Sequence, residues 1–417
     1  MRGMTDAIHS LRATARTMFE TAVNAADPAP ALRRHLISDP LPPLASGRYL
    51  LVAVGKAAGA MMAEALSHLP PGAPHTALVV TNYENAQDIP GCTVMAAGHP
   101  VPDDNGAAAG KAVIAMLSAA TADDRVIALI SGGGSALLPA PTDGVTLAEK
   151  AEVSRILLGA GVDIVQMNAV RQHLSRLKGG GLARRAHPAP VSAYILSDVI
   201  GDDLRAIASG PTVGPIMSRA GVRTLLEARG LLAQMPASVR RILDAPERGG
   251  ADGVTATNRL IASNRQSLDA ALAASALPAR IVDDHLTGDV ADAAQKILTA
   301  ASQNPAPCAL IFGGETTVSL TGTGAGGRNQ ELALRVALAA DLPSPWVFLS
   351  GGTDGRDGPT QAAGGVVDPG TAARIGPAAA GLLANNDSNA ALARADDLLI
   401  TGATGTNVAD VQIFLKG

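Results

Sequence analysis

The sequence predicts an α/β protein of two domains, a first built on a mostly parallel sheet covered by helices and a second in which strands and helices again alternate. Three observations predict it. From residue 49 onward, short and almost uninterrupted apolar runs alternate with stretches of helical periodicity, the pattern of strands buried on both faces. The 417 residues exceed one domain at roughly 100–200 residues each. The rhythm also breaks once, across residues 204–250, and then resumes.

Taken in order, residues 1–38 read as an amphipathic helix, followed by the proline-rich connector DPLPPLASG. YLLVAVG (49–55) reads as a strand running into a helix at KAAGAMMAEAL. ALVVTN (77–82) and TVMAA (93–97) are further strands, the second preceding GHPVPDDNG and the helix AAAGKAVIAML. RVIALI (125–130) enters a run of three glycines, helices are expected near 146–160 and 166–186, and SAYILSDV (192–199) ends in acidic residues. The polar turn PERGGADG (246–253) marks the domain boundary. Beyond it, strands are expected at RLIAS (259–263), ARIVD (279–283), CALIFGG (308–314), WVFLSGG (346–352) and DLLITGAT (397–404). Glycine pairs follow three strands, at 132–133, 313–314 and 351–352. Ligands of open parallel sheets bind beyond the carboxyl ends of strands, so the three pairs are expected at one cleft.

Composition narrows the function. With 47% hydrophobic and 17% charged residues, the chain is not disordered. Aromatics make up only 2%, so the cores rest on Ala, Val, Leu and Ile, and nucleobase stacking on aromatic platforms is disfavoured. A net charge of −4 gives no electrostatic reason for a nucleic-acid partner. The two cysteines, Cys92 and Cys308, have no metal-ligand spacing and fit a reducing compartment. Charged residues interrupt the N-terminal apolar pattern and no run reaches 18 apolar residues, so a soluble, cytoplasmic protein without membrane contact is expected.

Neither common nucleotide signature is present: GxxxxGK[ST] is absent, and VAVGKAAG offers only Gly55 and Gly59 for GxGxxG. SGGGSAL (131–137) nevertheless has phosphate-loop chemistry. The amides of Ser131, Gly132, Gly133 and Gly134 can converge on an anion, and Ser135 can add a hydroxyl; a tight turn without ligand is the plain alternative. Lys56 stands at a strand–helix junction, in a chain with six lysines against 27 arginines. Its ammonium can reach a transferring phosphoryl group there, or simply face solvent. In GGETTVSLTGTGAGGRNQELAL (313–334), Glu315 follows a buried strand and its glycine pair, and a flexible glycine loop leads to Arg328. A cation near a helix N-terminus opposes the dipole, so an anionic ligand is expected to hold Arg328, unless the loop is a disordered tip.

In NAVRQHLSRLKGGG, Val170, Leu174 and Leu177 share one helical face, and Arg171, Ser175 and Lys178 share another. That second face is either a solvated basic stripe or part of a binding site. Asp198, Asp202, Asp203, Asp354, Asp357 and Asp387 lie at strand ends and loops, where carboxylates hold Mg2+, accept a proton or cap turns. His99 in GHPVPDD reads as a turn or substrate-loop residue.

The segments VGKAAGAM, GHPVPD, LISGGGSALL, NAVRQHLSRLKGGGLA, LSDVIGDDLRAIASGPT, FGGETTVSL, GGRNQELAL, SGGTDGRDGPTQAAGG and TGATGTNVAD run in one order from residue 52 to 410. Together they resemble the class II glycerate kinases. The resemblance implies a Rossmann-like N-terminal domain (1–245), a C-terminal α/β MOFRL-type domain (246–417) and an active site in the cleft between them. It implies phosphorylation of D-glycerate to 2-phosphoglycerate with ATP and Mg2+. Lys56 and Arg328 are then catalytic, and Asp198 is our choice to orient the glycerate hydroxyl. Ser131, Gly132, Gly133, Gly134, Ser135, Gly313, Gly314 and Glu315 would meet the nucleotide. Arg171, Lys178, Asn329 and Asp387 would meet the acid, with Asp198 and Asp354 at the metal. The sequence departs from the family at SNAAL after Asp387, where a larger or aromatic residue is expected soon after the serine. Some members carry the label hydroxypyruvate reductase; the absent GxGxxG speaks against a nicotinamide site. A non-catalytic binding protein for a phosphorylated acid is a further alternative. A homodimer stays open as the assembly.

Overall fold

The computed structural model describes residues 2–246, 256–343 and 345–417. The expected boundary turn at 246–253 lies, from residue 247 on, outside the described residues. The chain divides into two compact units, one comprising Ala31–Ser197 and Asp202–Ile261, the other Met1–Pro30, Asp198–Gly201 and Ala262–Gly417. No helix among the described residues is long and apolar enough to cross a membrane.

In the first unit, β1 (Tyr49–Val54), β2 (His75–Asn82), β3 (Cys92–Ala97), β4 (Arg125–Ile130), β5 (Val191–Leu196) and β6 (Ala256–Ala262) form one sheet in the order β3-β2-β1-β4-β5-β6. The pairs β1–β2, β2–β3, β1–β4 and β4–β5 are parallel. Every residue of β1 and β5 is buried, which is why these strands read as continuous apolar runs rather than alternating ones. Strand order reverses between β1 and β4, so a crevice forms beyond their carboxyl ends. The 204–250 stretch, where the rhythm broke, contributes helices Arg219–Ala228 and Ala237–Asp244. With Leu147–Gly159 and Ile164–His173, they surround Val153, Leu157, Val170, Val222, Leu226 and Val239.

Two expected helices are broken. Residues 1–38 form Arg2–Ala25 and Pro28–Ser38, because proline starts a helix readily but cannot sit in its interior. The helix expected at 166–186 ends at His173 and resumes as Gly181–Ala186, separated by a turn in which Gly179 and Gly180 take positive φ.

The second unit holds β7 (Ala279–Asp289), β8 (Cys308–Thr317), β9 (Trp346–Gly352), β10 (Gly364–Val367), β11 (Leu398–Leu399) and β12 (Asp410–Lys416), in the order β11-β10-β9-β12-β8-β7. This sheet is mixed. β7 and β8 are parallel, but β12 lies between β8 and β9 and runs antiparallel to both, and β9–β10 and β10–β11 are also antiparallel. The strand expected at 397–404 contracts to two residues. β12, DVQIFLK, escaped the reading because Asp410 and Gln412 interrupt its apolar run, although both are fully buried.

Both faces of this sheet are covered. Val347, Leu349, Val411 and Ile413 pack beneath Met18, Phe19 and Leu268, from helices Arg2–Ala25 and Asn264–Ala273. Trp346, Phe348 and Phe414 face Ile297, Leu332 and Val336 on the other side, with Trp346 stacked on Phe414 at 5.6 Å. The N-terminal helix thus completes the unit that holds the chain's other end, an attachment that chain order does not announce. Arg12 reinforces it with ion pairs to Asp368 and Asp397. Phe19 is only 1% exposed, so Phe19→Ala should destabilise this unit by about 3–5 kcal/mol. Denaturant unfolding checks it, and a loss below about 1 kcal/mol would be inconsistent with a docked N-terminal helix.

Candidate active site

The triple glycine sits at the strand-order reversal of the first unit. Ser131 N–H donates to Val54 O at 2.9 Å, and Ser131 Oγ accepts from Ala57 N–H at 3.1 Å, so the ends of β4 and β1 are tied together. Lys56 N–H donates to Gly132 O at 2.9 Å. Gly133 has φ 85°, the left-handed region that suits glycine. A Cβ there would stand 3.2 Å from the His99 ring and 3.3 Å from Lys56 Cγ. The missing side chain therefore lets Lys56 and His99 close in on the turn. Burial and the nearby Lys56 charge lower the His99 pKa. Ser135 opens towards Ser209, whose hydroxyl it meets at 2.6 Å.

A cavity of ≈ 800 Å³ adjoins this turn, with His99, Gly133, Ser135, Lys150, Arg171 and Lys178 in its walls. The expected helical face of Arg171, Ser175 and Lys178 does not exist, because the helix stops at His173. Ser175 bridges to Pro141 through its backbone, and its Oγ accepts from Leu177 N–H and Lys178 N–H, both at 3.3 Å. The turn that follows nevertheless brings Lys178 back beside Arg171, so both cations reach one cavity. Lys178 Nζ donates to Ser135 O at 2.6 Å, and Arg171 Nε to Ser154 Oγ at 3.2 Å. Lys150 was not anticipated; inside LAEKAEV it reads as a surface residue. Its Nζ is sealed from solvent and has no hydrogen-bond partner. Burial and Arg171 bring its pKa down to about 8. Burial, Lys150 and Arg171 hold Lys178 well below the usual lysine range, and burial lowers Arg171. The one sequence signal was scarcity: three of the six lysines, Lys56, Lys150 and Lys178, fall beside this turn.

In the second unit the register aligns Gly314, Asp410 and Gly352 across β8, β12 and β9. The ends of these three interior strands thereby gather Glu315, Asp410 and the turn carrying Asp354. Gly313 and Gly314 lie inside β8 rather than beyond it, and side chains there would strike Asn264, Leu268 and the Leu286 backbone. Packing alone accounts for that glycine pair. Gly351 and Gly352 likewise lie inside β9.

Arg328 begins the helix Arg328–Ala339. The carboxylate that a helix N-terminus favours is Asp357, which accepts from Asn329 N–H at 3.1 Å and Gln330 N–H at 2.8 Å. No external anion is needed to hold Arg328. Its Nε and Nη2 donate to both oxygens of fully buried Asp410 at 2.6 and 3.0 Å, and Nη1 pairs with Glu315 at 3.0 Å. Burial opposes the guanidinium charge, but Asp410 and Glu315 outweigh it and raise its pKa. Burial raises the carboxyl pKa of Asp410 and of Asp357, against the hydrogen bonds that lower each. A second cavity, ≈ 670 Å³, is lined by Glu315, Thr317, Arg328, Glu331, Asp357 and Asn386, among others.

The glycine loop before Arg328 is not a free tip. Asn386 Oδ1 accepts from Thr321 and Gly322 N–H at 2.7 and 2.9 Å, and Asp387 Oδ1 from Ala325 N–H at 3.2 Å. Asp387 thus clamps the loop. Buried Asn329 accepts from Ser350 Oγ at 2.6 Å. Asp354 accepts from Arg356 N–H at 3.0 Å within its turn. Asp198 is half-buried just after β5 and divides with the second unit.

Comparison with known proteins matches both halves of the chain to families. The family described as "Domain of unknown function (DUF4147)" matches residues 14–244, and the "MOFRL family" matches residues 308–410. A Thermotoga maritima protein named D-glycerate 2-kinase is 39% identical, over 91% of this chain and 93% of its own. An Agrobacterium vitis protein named "Putative hydroxypyruvate reductase" is 38% identical, over 98% of this chain and 95% of its own. The crystal structure of a Thermotoga maritima glycerate kinase superposes with a TM-score of 0.89 at 37% identity, covering 98% of this chain and 100% of that one.

Two outcomes follow from the electrostatics. Asp410→Asn leaves Arg328 without its buried counter-charge and should destabilise the second unit by about 3 kcal/mol, measured by denaturant unfolding; an unchanged midpoint would show that the pair is dispensable. Lys150 titrates near 8 when folded and near 10.4 when unfolded, so between these values the unfolded chain holds a proton the folded one has shed, and stability rises with pH. Lys150→Met should remove roughly 3 kcal/mol of that rise, read by comparing unfolding at pH 7.5 and pH 10 in about the same salt.

Proposed function

The chain belongs to the class II glycerate kinase family with its MOFRL domain, and from that premise we propose that it transfers a phosphoryl group from ATP to D-glycerate, giving 2-phosphoglycerate. The observation that carries the reading is the glycine turn at the reversal of strand order, with Lys56 beside it. Phosphoryl transfer asks a protein mainly for positioning and charge neutralisation. The amides of Gly132–Ser135 supply donors that need no side chain, and Lys56 brings a mobile ammonium to the same turn. Arg328 neutralises charge developing on the transferring group. Its two bonds to Asp410 fix the guanidinium plane in advance, which favours electrostatic stabilisation without reorganisation. Asp198 accepts the proton of the attacking glycerate hydroxyl, and Asn329 and Asp387 support the acid's end of the site.

Mg2+ keeps several waters and binds through one or two carboxylates together with substrate phosphates. Glu315, half-exposed beside Arg328, and Asp354 fit that requirement at one end of the central strands, with Asp198 as a further donor. Among the described residues no group of three or more His, Cys, Asp or Glu stands ready to enclose a cation alone, which accords with an ion carried in by phosphates. When bound, the ion offsets negative charge on the phosphates.

The test is ³¹P NMR of the protein with ATP, Mg2+ and D-glycerate. A phosphate-ester doublet, split by the single carbon-2 proton, is expected; a triplet would place the ester on carbon 3. A parallel sample with hydroxypyruvate and NADH should hold its absorbance, and loss of NADH without a new ester would favour the reductase reading instead. Lys56→Ala and Arg328→Ala should each lower kcat by about 10²–10³-fold. Near-normal turnover in both would refute the mechanism.

A further inference from the structure

The cavity beside the glycine turn carries more positive charge than the turn itself requires. Lys150, Arg155, Arg171 and Lys178 all line it, and no lining residue is acidic. Cations placed together away from water are unfavourable unless paired, and they repel one another. The protein compensates little of this. Lys150 has no hydrogen-bond acceptor, Lys178 has a neutral carbonyl and Arg171 a neutral hydroxyl. Arg155 lies at the exposed rim, with Glu152 3.9 Å away. Such a cluster persists when a ligand supplies the missing negative charge.

We propose that this cavity binds the polyphosphate of the nucleotide, with Lys150 the cation its phosphates pair with and Arg171 and Lys178 completing the site. The proposal rests on the reading of ATP as phosphoryl donor. Charge and size favour a polyphosphate over the small acid. A three-carbon monocarboxylate brings one negative charge and would leave most of the cations unpaired and most of ≈ 800 Å³ unfilled. A triphosphate brings three or four charges. The cavity is also continuous with the turn, because Gly133 and Ser135 line it and Lys178 is fixed to the Ser135 carbonyl. Pro100, Val101, Leu147 and Leu158 add an apolar wall suited to the uncharged part of a nucleotide. Arg171 and Lys178 thereby pass from the glycerate role that the family resemblance suggested to the nucleotide.

The experiment is isothermal titration of the full chain with ADP, tripolyphosphate and D-glycerate, in wild type, Lys150→Met and Lys150→Arg. Without the charge-assisted hydrogen bond from Lys150, the Lys150→Met protein should bind ADP and tripolyphosphate about tenfold more weakly, or worse. Lys150→Arg should restore most of that affinity, and D-glycerate should bind all three alike. Lys150→Met without ligand should melt no lower than wild type, since it removes an uncompensated charge. Unchanged tripolyphosphate affinity in Lys150→Met, or a loss confined to D-glycerate, would overturn the proposal. Lys150-dependent tripolyphosphate binding in a protein that phosphorylates nothing would uphold this site and sink the kinase reading. Kinase turnover with Lys150-independent binding would do the reverse.

Discussion

Arg328 depends on a carboxylate that arrives from the far end of the chain. A guanidinium at the first position of a helix opposes the helix dipole, and its partial burial makes the conflict worse. It is resolved because β12 inserts between β8 and β9 and delivers Asp410 to that spot. The same insertion makes the sheet antiparallel at its centre and sets Glu315 and the Asp354 turn at one end of its central strands. The strand that settles the electrostatics therefore also settles the architecture. Asp357 takes the helix N-terminus that the arginine cannot satisfy.

The first unit is arranged the opposite way. Its sheet is a run of parallel strands whose order reverses between β1 and β4, and its cations gather where carboxylates are absent. Burial lowers the proton affinity of Lys150, Arg171 and Lys178, and neighbouring cations lower it further at Lys150 (Arg171) and at Lys178 (Lys150 and Arg171). A compensated cation such as Arg328 is rigid and pre-aimed, whereas an uncompensated cluster gains most from an incoming anion.

Much of this was legible in the chain. The strands of the first unit read as apolar runs because both faces are buried, and the glycine turn stood out because three glycines end a buried strand. Lys56 and Arg328 were visible as cations at strand and helix ends. The ordered series of short motifs pointed to the glycerate kinase family, to which the chain belongs. Other parts were not legible. The helix through Arg171 stops at His173, and Ser175 leaves it to bridge with Pro141, yet the broken path brings Arg171 and Lys178 to one cavity. Gly313 and Gly314 read as a ligand turn, and the chain gave no sign that Asn264, Leu268 and Leu286 stand where their side chains would be.

By itself, the sequence determined the alternation of strands and helices, the parallel first sheet, the phosphate-like turn and the identity of two lone cations. These follow from periodicity and local backbone chemistry, which act over a few residues. The tertiary structure alone decided that Asp410 would hold Arg328 across 82 residues, that the second sheet would be mixed, and that Lys150 would lose its solvent. A charge's partner and a lysine's burial depend on which strands and helices become neighbours, and spacing along the chain carries no record of that.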